Sequence, residues 1–136
     1  MTQKNSKKGW RKGFSQYDVV QQYEIQQGLC NWERCPDISG KNPPPLGITY
    51  EKDHIMPLDI HKLLGQKWDP HVRKNISLQH DPCHKDKTRQ DEKLSTFLRR
   101  NNGDKKIMQK ARGCIRRHND NMWKARKCLL QLDDDN

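Results

Sequence analysis

Three side chains in this sequence have the types and spacing to support metal-assisted chemistry. Asp53 and His54 are neighbours, and His84 follows later, in the first turn of a predicted helix. An adjacent carboxylate and imidazole, joined by a second imidazole that returns from a helix start, can bind a divalent ion and activate water beside it.

Two further pairs have the spacing of zinc ligands. Cys30 and Cys35 form a Cys-x4-Cys pair, and His80 and Cys83 form a His-x2-Cys pair. Together they predict a tetrahedral Cys3His zinc site, which would replace part of the core that a small basic domain lacks. The alternative is that the three cysteines are buried free thiols and that His80 lies on the surface.

The order His54, Asn75, His84 resembles the HNH motif of metal-dependent nucleases. Two segments carry the resemblance, DHIMPL at 53–58 and NISLQHDPCHKDKT at 75–88. Many HNH nucleases also have two Cys-x2-Cys pairs around the catalytic strands. Here the first pair is longer by two residues, and a histidine replaces one cysteine of the second.

The resemblance implies a role for each motif residue. His54 would be the general base that takes a proton from the attacking water, which suits a side chain that titrates near neutral pH. Asp53 and His84 would hold one catalytic divalent ion, Mg²⁺ or Mn²⁺, at the scissile phosphate. Asn75 would fix the loop around His54, and position in the motif assigns His80 to the structural zinc. The products would carry 5′-phosphate and 3′-hydroxyl ends.

Asp53 and His54 also raise a geometric difficulty, because neighbouring side chains of a regular strand point to opposite faces. Both can serve one site only if the strand twists or bulges. We therefore predict irregular backbone at 53–55, with Pro57 ending the regular pairing.

The formal net charge of +10 favours a polyanionic partner, because each cation placed against a phosphate displaces condensed counterions. DNA is the expected partner, and a membrane is not, since the basic segments lack a wide apolar face. Cutting both strands would need a homodimer or two visits by one chain. Nucleic-acid contacts are predicted for Lys52, Lys85, Lys87 and Arg89, and further lysines and arginines crowd the C-terminal part.

Composition predicts one small domain in a reducing compartment. Hydrophobic residues make up 31% of the chain and charged residues 32%, so the core must be small. The chain has five cysteines and shows neither a signal peptide nor a long apolar segment, which favours an intracellular, cytoplasmic location. Cys114 and Cys128 are predicted to be ordinary thiols.

Local patterns predict the α+β fold that the resemblance implies, a small zinc-stapled ββα-metal core with flanking N- and C-terminal helices. Strands at 48–55 and 75–79 form an antiparallel two-stranded hairpin. A helix follows, with Asp81 as its N-cap and Pro82 at its first position.

The flanking segments are predicted from caps and breakers. Ser15 caps a helix that ends near Gly28, Asp59 caps a short helical turn that Gly65 stops, and the proline-rich stretch 36–47 is a loop. A last helical segment runs over 104–132. The predicted domains are a basic flexible arm (1–14), an HNH nuclease domain with its zinc clamp (15–100) and a basic helical extension with an acidic tail (101–136).

The predicted function is a metal-dependent HNH endonuclease that hydrolyses DNA phosphodiester bonds. The alternative is a non-catalytic, zinc-finger-like nucleic-acid-binding protein. Charge alone is also compatible with an RNA-binding or packaging accessory protein.

Overall fold

The computed structural model describes residues 9–42 and 44–135. Within them, a two-stranded antiparallel sheet is accompanied by six α-helices and one 3-10 helix, which confirms a mixed α/β fold compatible with a ββα core. No helix of this described part combines the length and the apolar character needed to cross a membrane. In chain order the elements are α1 (Gln16–Ile25), α2 (Cys35–Ser39), β1 (Glu51–His54), α3 (Leu58–Leu63), the 3-10 helix (Arg73–Asn75), β2 (Ile76–Gln79), α4 (Asp81–Arg100), α5 (Lys105–Arg117) and α6 (Met122–Asp134).

Strands β1 and β2 pair in a regular register, with Glu51 opposite Gln79 and His54 opposite Ile76. The first strand is shorter than the predicted 48–55. The residue after Gln79 already belongs to the start of α4, so residues before Glu51 have no strand partner to pair with.

The prediction of irregular backbone at 53–55 was wrong. His54 pairs with Ile76 in the same register as the rest of the strand, so neighbouring side chains alternate between faces. Asp53 points toward α4, whereas the ring of His54 stacks on Phe14. Both residues nevertheless line one cleft, because β1 ends there and a strand end can present two neighbours to one cavity.

Helix α4 begins one residue earlier than predicted. His80 is its N-cap, and the N–H of His84 donates to the carbonyl oxygen of His80 at 2.9 Å. Asp81 is instead the first helical residue, where its carboxylate faces the positive end of the helix dipole and pairs with Lys85 at 3.0 Å. Pro82 is therefore the second helical residue rather than the predicted first, and it is tolerated there because no intrahelical bond is required of its nitrogen in the first turn.

The starts predicted for the flanking helices agree with the structure only in part. Ser15 caps α1 as predicted, since the N–H of Asp18 donates to its Oγ at 3.1 Å. The predicted loop 36–47 instead begins inside α2, whose first turn accommodates Pro36. Asp59 lies inside α3 rather than at its N-cap.

The single helical segment predicted over 104–132 is two helices. Asp104 caps α5 by accepting hydrogen bonds from the N–H groups of the first turn. Residues 118–121 then leave the helix, and the Asn121 side chain caps α6 by accepting from the N–H of Lys124 at 3.2 Å. Asparagine favours such a cap because its short side chain competes with the helical backbone for hydrogen bonds.

Two apolar clusters hold these elements together. One contains Trp32, Leu46 and Leu78 together with the three cysteines of the predicted zinc site. The other joins α3 and α4 to the C-terminal helices, so α5 and α6 share a core with the rest of the fold instead of forming a separate extension. Trp123 of α6 packs against both clusters.

The described part of the predicted flexible arm, residues 9–14, packs on the domain. Phe14 stacks on His54 with ring centroids 4.2 Å apart, and Trp10 makes an edge contact with His61 at 5.3 Å. Arg11 forms an ion pair with Asp18. Aromatic burial thus outweighs the polarity of this segment, while residues 1–8 lie outside the described residues.

Cys114 and Cys128, predicted to be ordinary thiols, form a disulfide that joins α5 to α6. The two cysteines lie on facing sides of the antiparallel helix pair, and the sequence spacing gave no sign that the helices would turn back between them. A disulfide is uncommon in a reducing compartment, so this bond weighs against the compartment prediction.

We expect loss of this disulfide to destabilise the protein. The bond closes a loop between residues 14 apart in the chain, and a loop of roughly that size is worth about 3 kcal/mol of unfolding free energy. Urea unfolding of the Cys128→Ser variant, compared with the unmodified protein, measures this difference.

Denaturing alkylation followed by mass analysis provides the control. Three cysteines, Cys30, Cys35 and Cys83, should be modified before reduction, and all five should be modified after it. Five modifications before reduction would contradict the disulfide.

Candidate metal cluster and catalytic cleft

The four predicted zinc ligands come together. One donor atom from each of Cys30, Cys35, His80 and Cys83 lies within 4.8 Å of the others. The three cysteines are buried and His80 is partly exposed. The predicted cluster is therefore present, and its donor set could hold a metal ion.

His80 is oriented toward the cluster by contacts on both ring nitrogens. Its Nδ1 lies 3.2 Å from the Sγ of Cys35, and its Nε2 contacts the carbonyl oxygen of Pro45. The N–H of Cys30 donates to the carbonyl of Pro44 at 2.8 Å, which holds that carbonyl segment beside the cysteines. Metal-binding imidazoles commonly donate their second ring N–H to such a carbonyl, so His80 has the surroundings of a ligand at Nδ1.

Cys30 and Cys83 resist deprotonation when no metal is bound. Burial raises the pKa of Cys30 and that of Cys83, and the neighbouring thiols raise both further. A divalent ion bound here would displace these protons, since thiolate rather than thiol is the ligand.

An open cleft of about 320 Å³ lies beside the hairpin, between β1, the start of α3 and one side of α4. The three residues predicted to act on the reacting atoms all line it. Its full lining is Lys52, Asp53, His54, Pro57, Leu58, Asp59, His84, Thr88, Asp91 and Glu92.

Asp53 and His84 meet in this cleft. Oδ1 of Asp53 lies 3.4 Å from Nε2 of His84, although one residue comes from β1 and the other from the first turn of α4. The Asp53 side chain is buried and His84 is about one-third exposed. Burial raises the pKa of the Asp53 carboxyl, and the nearby ammonium group of Lys87 opposes that rise.

Lys87 does not lie where the nucleic-acid prediction placed it. Its side chain is completely buried, with Nζ 2.7 Å from Oδ2 of Asp53 and 2.6 Å from Oδ2 of Asp91. Nζ also donates to the carbonyl oxygen of His54 at 3.1 Å. Lys87 is therefore an internal counterion, and the prediction that it contacts nucleic acid was wrong.

Arg126 completes this ion network from α6. Its Nε donates to Oδ1 of Asp91 at 2.8 Å, and its guanidinium lies over the Trp32 ring. Sequence spacing could have suggested part of the network, since Lys87 and Asp91 are an i, i+4 pair. Neither the Asp53 contact nor the Arg126 contact has a local sequence signal.

His54 is enclosed by two aromatic rings. Phe14 stacks on it, and Nδ1 of His71 lies 2.9 Å from its Nε2. Burial, followed by the neighbouring His71 and Lys87, lowers the pKa of His54 to about 4. The ring is thus unprotonated at neutral pH. His71 was missed from the sequence, because it lies in the irregular connection between α3 and the 3-10 helix.

Asn75 ties together the two chain segments around the end of β1. Its Oδ1 accepts from the N–H of Met56 at 2.7 Å, and its Nδ2 donates to the carbonyls of Met56 and Pro70 at 3.2 and 3.0 Å. The residue is fully buried. These bonds hold the backbone that follows His54, so the Asn75 side chain acts on the cleft through the loop rather than by contact with it.

The other three predicted nucleic-acid ligands remain accessible. Lys52 is exposed and lines the cleft. Lys85 is exposed and pairs with Asp81, and the guanidinium group of the exposed Arg89 lies 3.9 Å from Oδ1 of Asp86. Exposed pairs of this kind are weak, so these cations are available to a bound anion.

Replacing Lys87 with methionine should lower the free energy of unfolding by about 3–5 kcal/mol, because two buried carboxylates lose their shared counterion. Lys85→Met is the matched control, two residues away and exposed, and should change that energy by less than about 0.5 kcal/mol. Urea unfolding of both variants measures the effects. Equal losses would show that Lys87 is not the internal counterion of Asp53 and Asp91.

Comparison of the chain with protein-family models, with curated proteins and with solved structures finds no match. The likeness to HNH nucleases accordingly rests on the motif residues and on how the fold arranges them.

Proposed function

We propose that this protein is a metal-dependent endonuclease that hydrolyses phosphodiester bonds in DNA, with a structural zinc in the Cys/His cluster. One observation carries the proposal. The carboxylate of Asp53 and the imidazole of His84 come within 3.4 Å of each other in an open cleft that His54 also lines. These are the three side chains that a one-metal hydrolytic site of the HNH type requires.

The donor set of the cleft fits a divalent ion. Asp53 offers a carboxylate and His84 an imidazole, with Oδ1 of Asp53 facing Nε2 of His84, while Oδ2 is paired with the Lys87 ammonium group at 2.7 Å. Asp53 and His84 would hold Mg²⁺ or Mn²⁺. A bound ion of this kind supplies positive charge that stabilises the phosphate and the leaving oxygen.

His54 would take the proton from the attacking water. The depressed pKa keeps its imidazole unprotonated at neutral pH, which is the state a base must start from, although a base of lower pKa also accepts a proton less strongly. Asn75 would hold the loop that follows, and Lys52 would bind a phosphate beside the cut.

The Cys/His cluster fits structural zinc. Zinc bonds of about 2.3 Å to sulfur in a tetrahedron separate the sulfurs by about 3.8 Å, and the four donors already lie within 4.8 Å of one another. All four positions would be filled by protein, which is the arrangement of a structural site. Such an ion would join the start of α4 to the segment around α2.

A non-catalytic zinc-dependent DNA-binding protein is the second candidate, and Lys87 favours it. The ammonium group neutralises Asp53 without any metal, so the cleft is electrostatically balanced as it stands. Under this alternative the cations around the cleft bind DNA and no bond is cut.

We expect the purified protein to contain about one zinc per chain, and the His80→Ala variant to lose most of it, because three cysteines alone leave one coordination position open. His84→Ala is the matched control, four residues later and outside the cluster, and should keep its zinc. Elemental analysis of the three proteins measures this. Zinc retained in His80→Ala would reject His80 as a ligand.

For catalysis, we expect nicking of supercoiled plasmid that requires added Mg²⁺ or Mn²⁺. His54→Ala should slow it by about 10²- to 10⁴-fold, since general-base catalysis is lost. His118→Ala, a histidine at the end of α5, serves as the control and should leave the rate unchanged. A folded, zinc-loaded His54→Ala protein that nicks at the original rate would refute the catalytic assignment and leave the binding-protein alternative.

A further inference from the structure

A second open groove, which we call the α5 groove, lies between α5 and α6 and has a volume of about 580 Å³. It shares no lining residue with the catalytic cleft. Lys106, Lys110, Arg116 and Arg117 line its α5 side, and all four are exposed. The one carboxylate among its lining residues is Asp135.

The four cations of this groove form no ion pair within the described part of the chain. None of the four cations has a carboxylate oxygen of a described residue within 4.0 Å, in contrast to the buried Lys87 and Arg126. The disulfide between Cys114 and Cys128 borders the groove and joins its two walls. The groove is therefore a cross-linked, cation-lined surface with charge available for a polyanion.

The cations follow one face of the helix. Positions 106, 110, 113 and 117 are separated by four, three and four residues, which places them in a row along α5. At a rise of about 1.5 Å per residue the row spans about 16 Å, the axial length of about five base pairs at 3.4 Å each.

Gly113 stands inside this row and is costly for the helix. A glycine in a helix interior destabilises the helix relative to alanine, because glycine loses more backbone conformational entropy on folding. No contact within the described protein requires the glycine, because an added Cβ would meet only the end of the flexible Arg116 side chain, at 3.9 Å. The backbone is in ordinary helical conformation, so strain does not require it either.

We propose that the α5 groove binds the sugar-phosphate backbone of double-stranded DNA at a second place, apart from the cleft. Lys106, Lys110 and Arg117 would contact phosphates, and Gly113 would let the backbone approach the helix where a side chain would hold it away. The identity of the polyanion rests on the proposed function. Phosphate contacts carry no sequence information, so the groove would add affinity without adding sequence preference.

The first test measures how binding depends on salt. The full-length, zinc-loaded protein is titrated into a fluorescent DNA duplex of mixed sequence, without added Mg²⁺ or Mn²⁺, at several salt concentrations. The double variant Lys106→Gln/Lys110→Gln should reduce the slope of log affinity against log salt by about 2, one for each lost phosphate contact.

The control removes two exposed cations that line neither the cleft nor the α5 groove, Lys41→Gln/Lys67→Gln. It has the same net charge as the test variant and should keep the original slope. Equal slopes in the test and control variants would overturn the proposal. Loss of affinity for an RNA duplex but not for DNA would also overturn it.

Gly113→Ala separates binding from folding. Because alanine favours the helix, this variant should melt about 2–5 °C higher, yet it should bind the duplex more weakly because the methyl group enters the groove. A stabilised variant with unchanged affinity would overturn the close approach at Gly113.

Failure of the groove and failure of the nuclease can be told apart. Binding is measured without a catalytic ion, whereas plasmid nicking by the unmodified protein tests the chemistry. A reduced salt slope with no nicking would retain the groove and reject the nuclease. Nicking by the unmodified protein, together with an unchanged salt slope in the double variant, would retain the nuclease and reject the groove.

Discussion

The first turn of α4 is the constraint on which both candidate metal sites depend. His80 is the N-cap of this helix, and together with Cys83 it faces Cys30 and Cys35. His84, which directly follows Cys83, contacts Asp53 instead. Adjacent residues of a helix point about 100° apart, so Cys83 and His84 must serve different sites. Any ion that fixes His80 and Cys83 also fixes the position of His84, because a single rigid turn carries all three. A structural metal would in this way set the geometry of the cleft between Asp53 and His84 without contacting it.

One turn further along α4, Lys87 sets the electrostatics of the same cleft. It lies between the buried Asp53 and the partly buried Asp91, and Arg126 pairs with Asp91 from another helix, so two acids face two buried bases. Removing Lys87 would leave the Asp53 carboxylate uncompensated, which is why buried pairs cost more to break than they contribute. A catalytic ion at Asp53 would share that carboxylate with the ammonium group of Lys87. The affinity for the ion would therefore depend on whether Lys87 can move away from Asp53.

The sequence was sufficient where ligands are close in the chain or joined by a regular element. Paired spacings identified Cys30, Cys35, His80 and Cys83, and the order of strands and helix brought Asp53 to His84. The sequence was insufficient where contacts depend on packing between segments that are distant in the chain. The contact of His54 with His71 and the burial of Lys87 both depend on segments whose approach has no periodic signal. The disulfide was missed for the same reason, since it requires knowing that α5 and α6 pack antiparallel.

The cations illustrate how burial decides what a charge does. A net charge of +10 predicts a polyanion as partner, but it cannot say which side chains are free to meet it. Lys87 and Arg126 form ion pairs with internal carboxylates. The positive charge that a partner would meet therefore lies on exposed residues such as Lys52 and Lys110. Internal pairs affect stability and are poorly screened, whereas exposed cations affect the salt dependence of binding. A lysine next to a motif is therefore assigned to nucleic acid only once its exposure and its partners are known.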